Sequence, residues 1–174
     1  HEIYTQRISL SSTGFYKTPD LQWDRIVGKG RPFYYFAYGA AVSEVVVDTL
    51  TGEFKLLRTD ILHDAGKSLN PAIDVGQIEG GFIQGLGWLT TEELVWDEKG
   101  ELKTHAPSTY KIPCASDRPK IFNVRLFDNL NLENTIYKSK AVGEPPFMLG
   151  ISVFLALRDA ISACGNNWPN LNAP

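Results

Sequence analysis

A single glutamate set between a glycine and two prolines, Gly143-Glu144-Pro145-Pro146, stands directly ahead of the most apolar stretch of the chain. A carboxylate in that setting can take a proton from a substrate or cofactor as a general base. It can also be an ordinary acid at a helix start, where free backbone N–H groups and the positive end of the helix dipole stabilise negative charge by about 0.3–1 kcal/mol. The residues alone favour this second, structural use. A further group with chemical capacity is Gln77, Gly80, Gly81 and Gln84, spaced i, i+3, i+4, i+7. On a helix this spacing makes two amides flank a strip almost without side chains, which something can approach closely. Close packing against another helix is the first-ranked explanation for that strip. The glycine spacing matches neither G-x-G-x-x-G nor the Walker pattern, so a nucleotide loop is excluded.

His63 and His105 have no histidine or carboxylate at metal-ligand spacing, and are read as satisfied structural residues. Cys114 and Cys164 lack C-x-x-C spacing and are expected to be free thiols in a reducing compartment, with Cys164 a small core residue. An iron–sulfur cluster takes about four thiolates, so this chain cannot hold one by itself.

The elements that must position these groups follow from pattern and punctuation. The chain has 174 residues, 43% of them hydrophobic and 21% charged, the balance of one ordinary globular domain. A net charge of −3 gives no electrostatic reason to expect nucleic acid or an anionic membrane surface. The apolar run from Phe147 to Leu157 falls short of the roughly 20 residues that cross a bilayer. The start at His1 shows no initiator methionine or signal pattern and reads as an internal cut. The first part of the chain is expected to be irregular, with Gly28 to Pro32 a loop.

The aromatic and β-branched run from Phe33 to Val47, the break at Asp48 to Gly52 and the resumption from Glu53 to Ile61 predict a β-hairpin. Asn70-Pro71 predicts a helix start, with Asn as N-cap, running toward Glu92 with Ile78, Phe82 and Leu89 on its apolar face. A second hairpin is expected at Leu94 to Trp96 with a turn at Asp97 to Gly100, then a strand from Ile121 to Phe127. The last helix, Pro146 to Cys164, is apolar nearly all round and should be mostly buried. Trp88, Trp96 and the aromatics from Phe33 to Phe36 are read as core. The fold class is therefore α+β, mixed hairpins and strands packed with two main helices.

Four stretches in fixed order carry a resemblance: Thr13-Gly14-Phe15-Tyr16-Lys17-Thr18-Pro19, Leu69-Asn70-Pro71-Ala72-Ile73-Asp74-Val75-Gly76-Gln77, Pro107-Ser108-Thr109-Tyr110-Lys111-Ile112-Pro113 and Lys140-Ala141-Val142-Gly143-Glu144-Pro145-Pro146. Together they resemble the carboxy-terminal molybdenum-binding region of xanthine dehydrogenases, within the molybdenum hydroxylase family, from about Tyr4 to Cys164. The resemblance implies that residues 1–174 are a carboxy-terminal fragment of the molybdenum-pterin-binding catalytic domain, part of a larger molybdenum-binding domain. In that family a molybdenum ion held by a pterin dithiolene carries oxo, sulfido and hydroxide ligands. Glu144 is then implied to be the base that takes the Mo–OH proton while the oxygen attacks a purine carbon and hydride passes to the sulfido ligand, oxidising hypoxanthine or xanthine to urate. Gln77 is implied to hydrogen-bond the pterin, with Gly143 and Lys140 as cofactor-binding members of the glutamate's loop and no residue ligating the metal itself.

The same resemblance places 2Fe-2S clusters, FAD and the residues that grip the purine in other parts of the enzyme. It implies NAD or oxygen as acceptor through the flavin part, a cytoplasmic homodimer, no nucleic acid and no membrane, and a fragment inactive alone. The prolines after Glu144 and the Phe15-Tyr16-Lys17-Thr18-Pro19 block favour xanthine, because aldehyde oxidases tend to lose both. Two other readings stand beside it: an aldehyde or N-heterocycle oxidase of the same family, separable by a substrate panel, and a non-catalytic scaffold, separable by molybdenum content. The intact Gly143-Glu144 pair argues against the scaffold.

Overall fold

The structure, a computed structural model, describes residues 1–165 and 168–174 and separates into two units, His1–Tyr34 and Tyr35–Pro174. In the first, a one-turn helix α1 (Glu2–Thr5) precedes an antiparallel pair, β1 (Gln22–Asp24) and β2 (Lys29–Arg31). Asp24 makes the turn: its Oδ1 accepts from the N–H groups of Ile26 and Val27 at 2.8 and 3.0 Å, and Gly28 follows at φ +66. Residues 11–18 have no regular structure, as expected. The segment from Gly28 to Pro32, expected to be a loop, supplies β2 instead. A three-residue exposed strand of one glycine between two charged residues has no apolar alternation to announce it.

The second unit contains the predicted hairpin as β3 (Gly39–Val47) and β4 (Phe54–His63), antiparallel with a register shift between Glu44 and Val45. Its turn is held by Asp48, whose Oδ1 accepts from Leu50 N–H at 2.8 Å and Thr51 N–H at 3.2 Å. Helix α2 (Pro71–Thr90) then crosses to β5 (Ile121–Leu126), which lies parallel to β4, so the sheet order is β3-β4-β5. A 3₁₀ segment, Pro145–Gly150, leads into α3 (Ile151–Ser162). Ile78, Phe82 and Leu86 of α2, Leu56 and Ile61 of β4, Val142, and Val153 and Leu157 of α3 form the core, with Phe82 tilted on Phe122 at 5.5 Å. Ser152 ties α3 to the sheet through Ser43, Oγ to Oγ at 2.8 Å. This is the α+β arrangement that the patterning predicts.

Several details differ. The hairpin begins at Gly39, and Phe33 and Phe36, read as core, are exposed, as are Trp88, Trp96 and Cys164. Both cysteines are free thiols. Leu86 takes the deep place on α2 that was assigned to Leu89, because i+4 steps from Ile78 and Phe82 reach it. The second hairpin reduces to one bridge, Trp96 to Leu102, since Asp97 spends its side chain on the N–H groups of Lys99 and Glu101 in a tight turn.

The last helix is not mostly buried. Val153 and Leu157 face inward, while Met148, Ile151 and Leu155 are exposed. The continuous run Pro145–Ser162 does reach the length and hydropathy of a membrane span by composition, longer than the apolar stretch read from sequence, with 22% of it buried. Here one side of it packs on β3 and α2 through Ser152, Val153 and Leu157.

Candidate functional site

Helix α2 supplies one wall. Asn70 caps it, its side chain accepting from Ile73 N–H at 3.4 Å, and Pro71 occupies the first turn where its missing N–H costs nothing. With Ile78, Phe82 and Leu86 turned to the sheet, the glycines divide between two environments. Gly81 and Gly85 face the Pro145–Gly150 segment, where a Cβ on Gly85 would drive into the carbonyl of Phe147 and one on Gly150 would lie 2.6 Å from the carbonyl carbon of Gly85. Two backbones meet there without side chains between them, which is the packing reason first ranked for the strip. Gly76 and Gly80 differ: an added Cβ on either meets nothing within 4 Å. Between them Gln77 is exposed, and among the described residues its carboxamide has no partner.

The loop carrying Glu144 forms the second wall. Its backbone is helical at φ −93, ψ −37, and its side chain makes no cap hydrogen bond. Pro145 and Pro146 have no N–H to offer, and the Phe147 N–H is taken by the Glu144 carbonyl at 3.0 Å. Glu144 therefore stands at the start of the 3₁₀ segment without a capping hydrogen bond, because the donors such a bond would use are absent or already taken. The carboxylate is exposed. Next to it, the position of a Cβ on Gly143 lies 3.7 Å from Gln77 Oε1, so the structure brings Gln77, Gly143 and Glu144 to one place.

Lys140 does not join them. Its side chain turns inward, 7% exposed, to pair with Asp64 Oδ2 at 2.6 Å and donate to the Phe36 carbonyl at 2.9 Å, with its ammonium 5.1 Å from the Tyr38 ring centre. Burial alone would raise the Asp64 carboxyl, but hydrogen bonds from Lys140, the Gly66 N–H and Asn129 together hold it below the usual carboxylate range.

His63 departs from expectation too. It is 1% exposed at the end of β4, and among the described residues neither ring nitrogen has a hydrogen-bond partner. Burial pushes its imidazole below the usual histidine value, against the pull of Asp64 and Asp74. His105 is exposed.

Sequence reading passed over Asp64 and the pair Glu92–Tyr110. Tyr110 donates to Glu92 Oε2 at 2.5 Å, and Thr91 Oγ1 donates to the Lys111 carbonyl at 2.8 Å, so the Pro107 to Pro113 stretch fastens the far end of α2. That hydrogen bond, with burial, raises the Tyr110 phenol. A cleft of about 770 Å³ opens at this end, lined by Val46, Phe54, Leu86, Thr91, Pro113 and Ser116 among others, and none of Gln77, Lys140, Gly143 or Glu144 borders it.

The family described as molybdopterin cofactor-binding domain matches residues 1–119. The chain belongs to the molybdenum hydroxylases, as part of their molybdopterin-binding region. Mouse xanthine dehydrogenase/oxidase is 52% identical over 172 residues, covering 99% of this chain and 13% of its own. Rice xanthine dehydrogenase is 54% identical over 167 residues, 92% of this chain and 12% of its own. The solved aldehyde oxidoreductase of Desulfovibrio gigas is 26% identical with a TM-score of 0.66, over 80% of this chain and 14% of that one. The chain thus spans about 13% of the length of the curated molybdenum hydroxylases it matches. The residues present fit a molybdopterin: a strip at Gly76 and Gly80 where no side chain stands over the helix backbone, and at Gln77, beside Gly143, a carboxamide without a partner among the described residues.

Proposed function

We propose that this chain is the carboxy-terminal part of the molybdopterin-binding domain of a xanthine dehydrogenase-type enzyme, with Glu144 as its general base. The observation that supports it most is that Glu144 is an exposed carboxylate with no capping hydrogen bond, next in the chain to Gly143, whose Cβ position lies 3.7 Å from the Gln77 carboxamide oxygen. When bound, the molybdenum–pterin group supplies oxygen transfer and two-electron oxidation. The chain's own contribution is to receive a proton at the Glu144 carboxylate, to offer the Gln77 carboxamide to the pterin, and to let the Gly143 backbone come near without a Cβ.

Purine oxidation is the reading favoured by the curated relatives, which are named xanthine dehydrogenases at 52–54% identity, and by the prolines after Glu144 and the block at Phe15 to Pro19. Likeness to an aldehyde oxidoreductase supports the second reading, an aldehyde or N-heterocycle oxidase. The complete enzyme in this proposal carries 2Fe-2S clusters and FAD elsewhere, passes electrons to NAD or oxygen, and is a cytoplasmic homodimer.

The test is Glu144→Gln in the complete enzyme, which keeps side-chain size and removes proton acceptance. Molybdenum content is expected to hold while kcat on xanthine falls by about 10²-fold or more, the scale of a lost general base. Unchanged turnover would refute the assignment, and turnover of aldehydes in place of xanthine would select the second reading.

A further inference from the structure

We propose that Asp64 is a positioning residue for Glu144, acting through its buried ion pair with Lys140; the inference rests on Glu144 being the base. Three residues, Ala141 to Gly143, separate Lys140 from Glu144, and the chain from Lys138 onward is fastened at successive points. Lys140 N–H donates to the Ala65 carbonyl at 2.8 Å, Gly66 bridges Ser139, and Lys67 N–H reaches the Lys138 carbonyl at 2.9 Å. Ala141 N–H donates to the Tyr35 hydroxyl at 2.9 Å. Val142 is in the core, and Pro146 is buried against Gly81. Gly143 and Glu144 alone stand out between these last two anchors.

The anchors before them converge on one carboxylate. Asp64 Oδ1 accepts from the Gly66 N–H at 2.8 Å, and Oδ2 accepts from Lys140 at 2.6 Å and from Asn129 Nδ2 at 3.2 Å. Both oxygens are therefore in use, with side chains 5% and 7% exposed on the two sides of the pair. The approach to Lys140 is also conformationally costly: Tyr137 and Lys138 are left-handed at φ +52 and +63, which persists only where surrounding structure overrides it. A base has to meet its proton within a few tenths of an ångström, so a two-oxygen clamp at the root of the loop sets where the carboxylate stands.

The complete enzyme tests this in a double-mutant cycle of Asp64→Asn and Glu144→Gln, read as kcat and KM on xanthine and as molybdenum content. An amide at position 64 has one acceptor oxygen, so it must release either the Gly66 N–H or Lys140. Asp64→Asn is expected to lower kcat about tenfold with KM within about twofold and molybdenum retained, and to add less than about twofold on the Glu144→Gln background. An equal loss on both backgrounds, or no loss in kcat, overturns the inference while Glu144→Gln is still crippled. An active Glu144→Gln enzyme fails the base assignment itself. If Asp64→Asn does not accumulate folded, Asp64→Asn with Lys140→Met, which leaves no unpaired buried charge, takes its place in the same cycle with the same criteria.

Discussion

One contribution to the acid behaviour of this fold comes from a buried histidine that has no hydrogen-bond partner among the described residues. His63 is 1% exposed, and burial disfavours its imidazolium and holds its value below the ordinary histidine value. The unfolded chain therefore binds a proton that the native state refuses, and stability rises with pH over that interval. Its contribution is complete above about pH 6.5 and is lost as pH falls below that, until the folded-state value is passed. The urea midpoint of the full-length protein is expected to drop between pH 7.5 and 5.5, and His63→Gln to shrink that drop; an identical pH profile in the variant would remove His63 as the cause. Spacing makes a metal role unexpected for His63, but does not show that among the described residues it has no hydrogen-bond partner. The same limit applies to Lys140, whose partner Asp64 is 76 positions away. Nothing local to the Lys140 to Pro146 motif shows that its lysine points away from the glutamate.

At the scale of an element, α2 is one helix with two kinds of glycine. Gly85→Ala places a Cβ against a backbone carbonyl that cannot step aside, and a loss of about 1–3 kcal/mol is expected in denaturant titration. Gly80→Ala meets nothing, so cofactor-free protein should gain up to about 1 kcal/mol of helix stability. If the open strip is the pterin's seat, the same Gly80→Ala lowers molybdenum content; full loading would place the seat elsewhere. Helix, hairpin and fifth strand were legible because Asn70-Pro71, the Asp48 to Gly52 turn and the β-branched runs each act within a few residues. The sorting of the glycines was not, because Gly85 meets Phe147 and Gly150 only after β5 has been placed. Nor was the parallel pairing of β4 with β5, set across the whole length of α2.

For the whole molecule, the many exposed apolar side chains, Phe36, Trp88, Trp96, Met148 and Leu155 among them, suit a piece that spans 13% of its mouse relative. The isolated 174-residue chain is expected to self-associate at micromolar concentration in size-exclusion chromatography and to show no xanthine turnover; a monodisperse monomer would contradict the proposal that the rest of the enzyme covers these faces. The sheet bears on the same point. β4 is flanked on both sides, whereas β3 and β5 each present a row of backbone groups that no described strand pairs. In amide hydrogen exchange the inner ladder is thus an internal clock, and the outer amides of β3 and β5 report what lies beside them. Slow exchange there in the proposed complete enzyme and fast exchange in the isolated chain would map, residue by residue, where the remainder of that enzyme covers the edges.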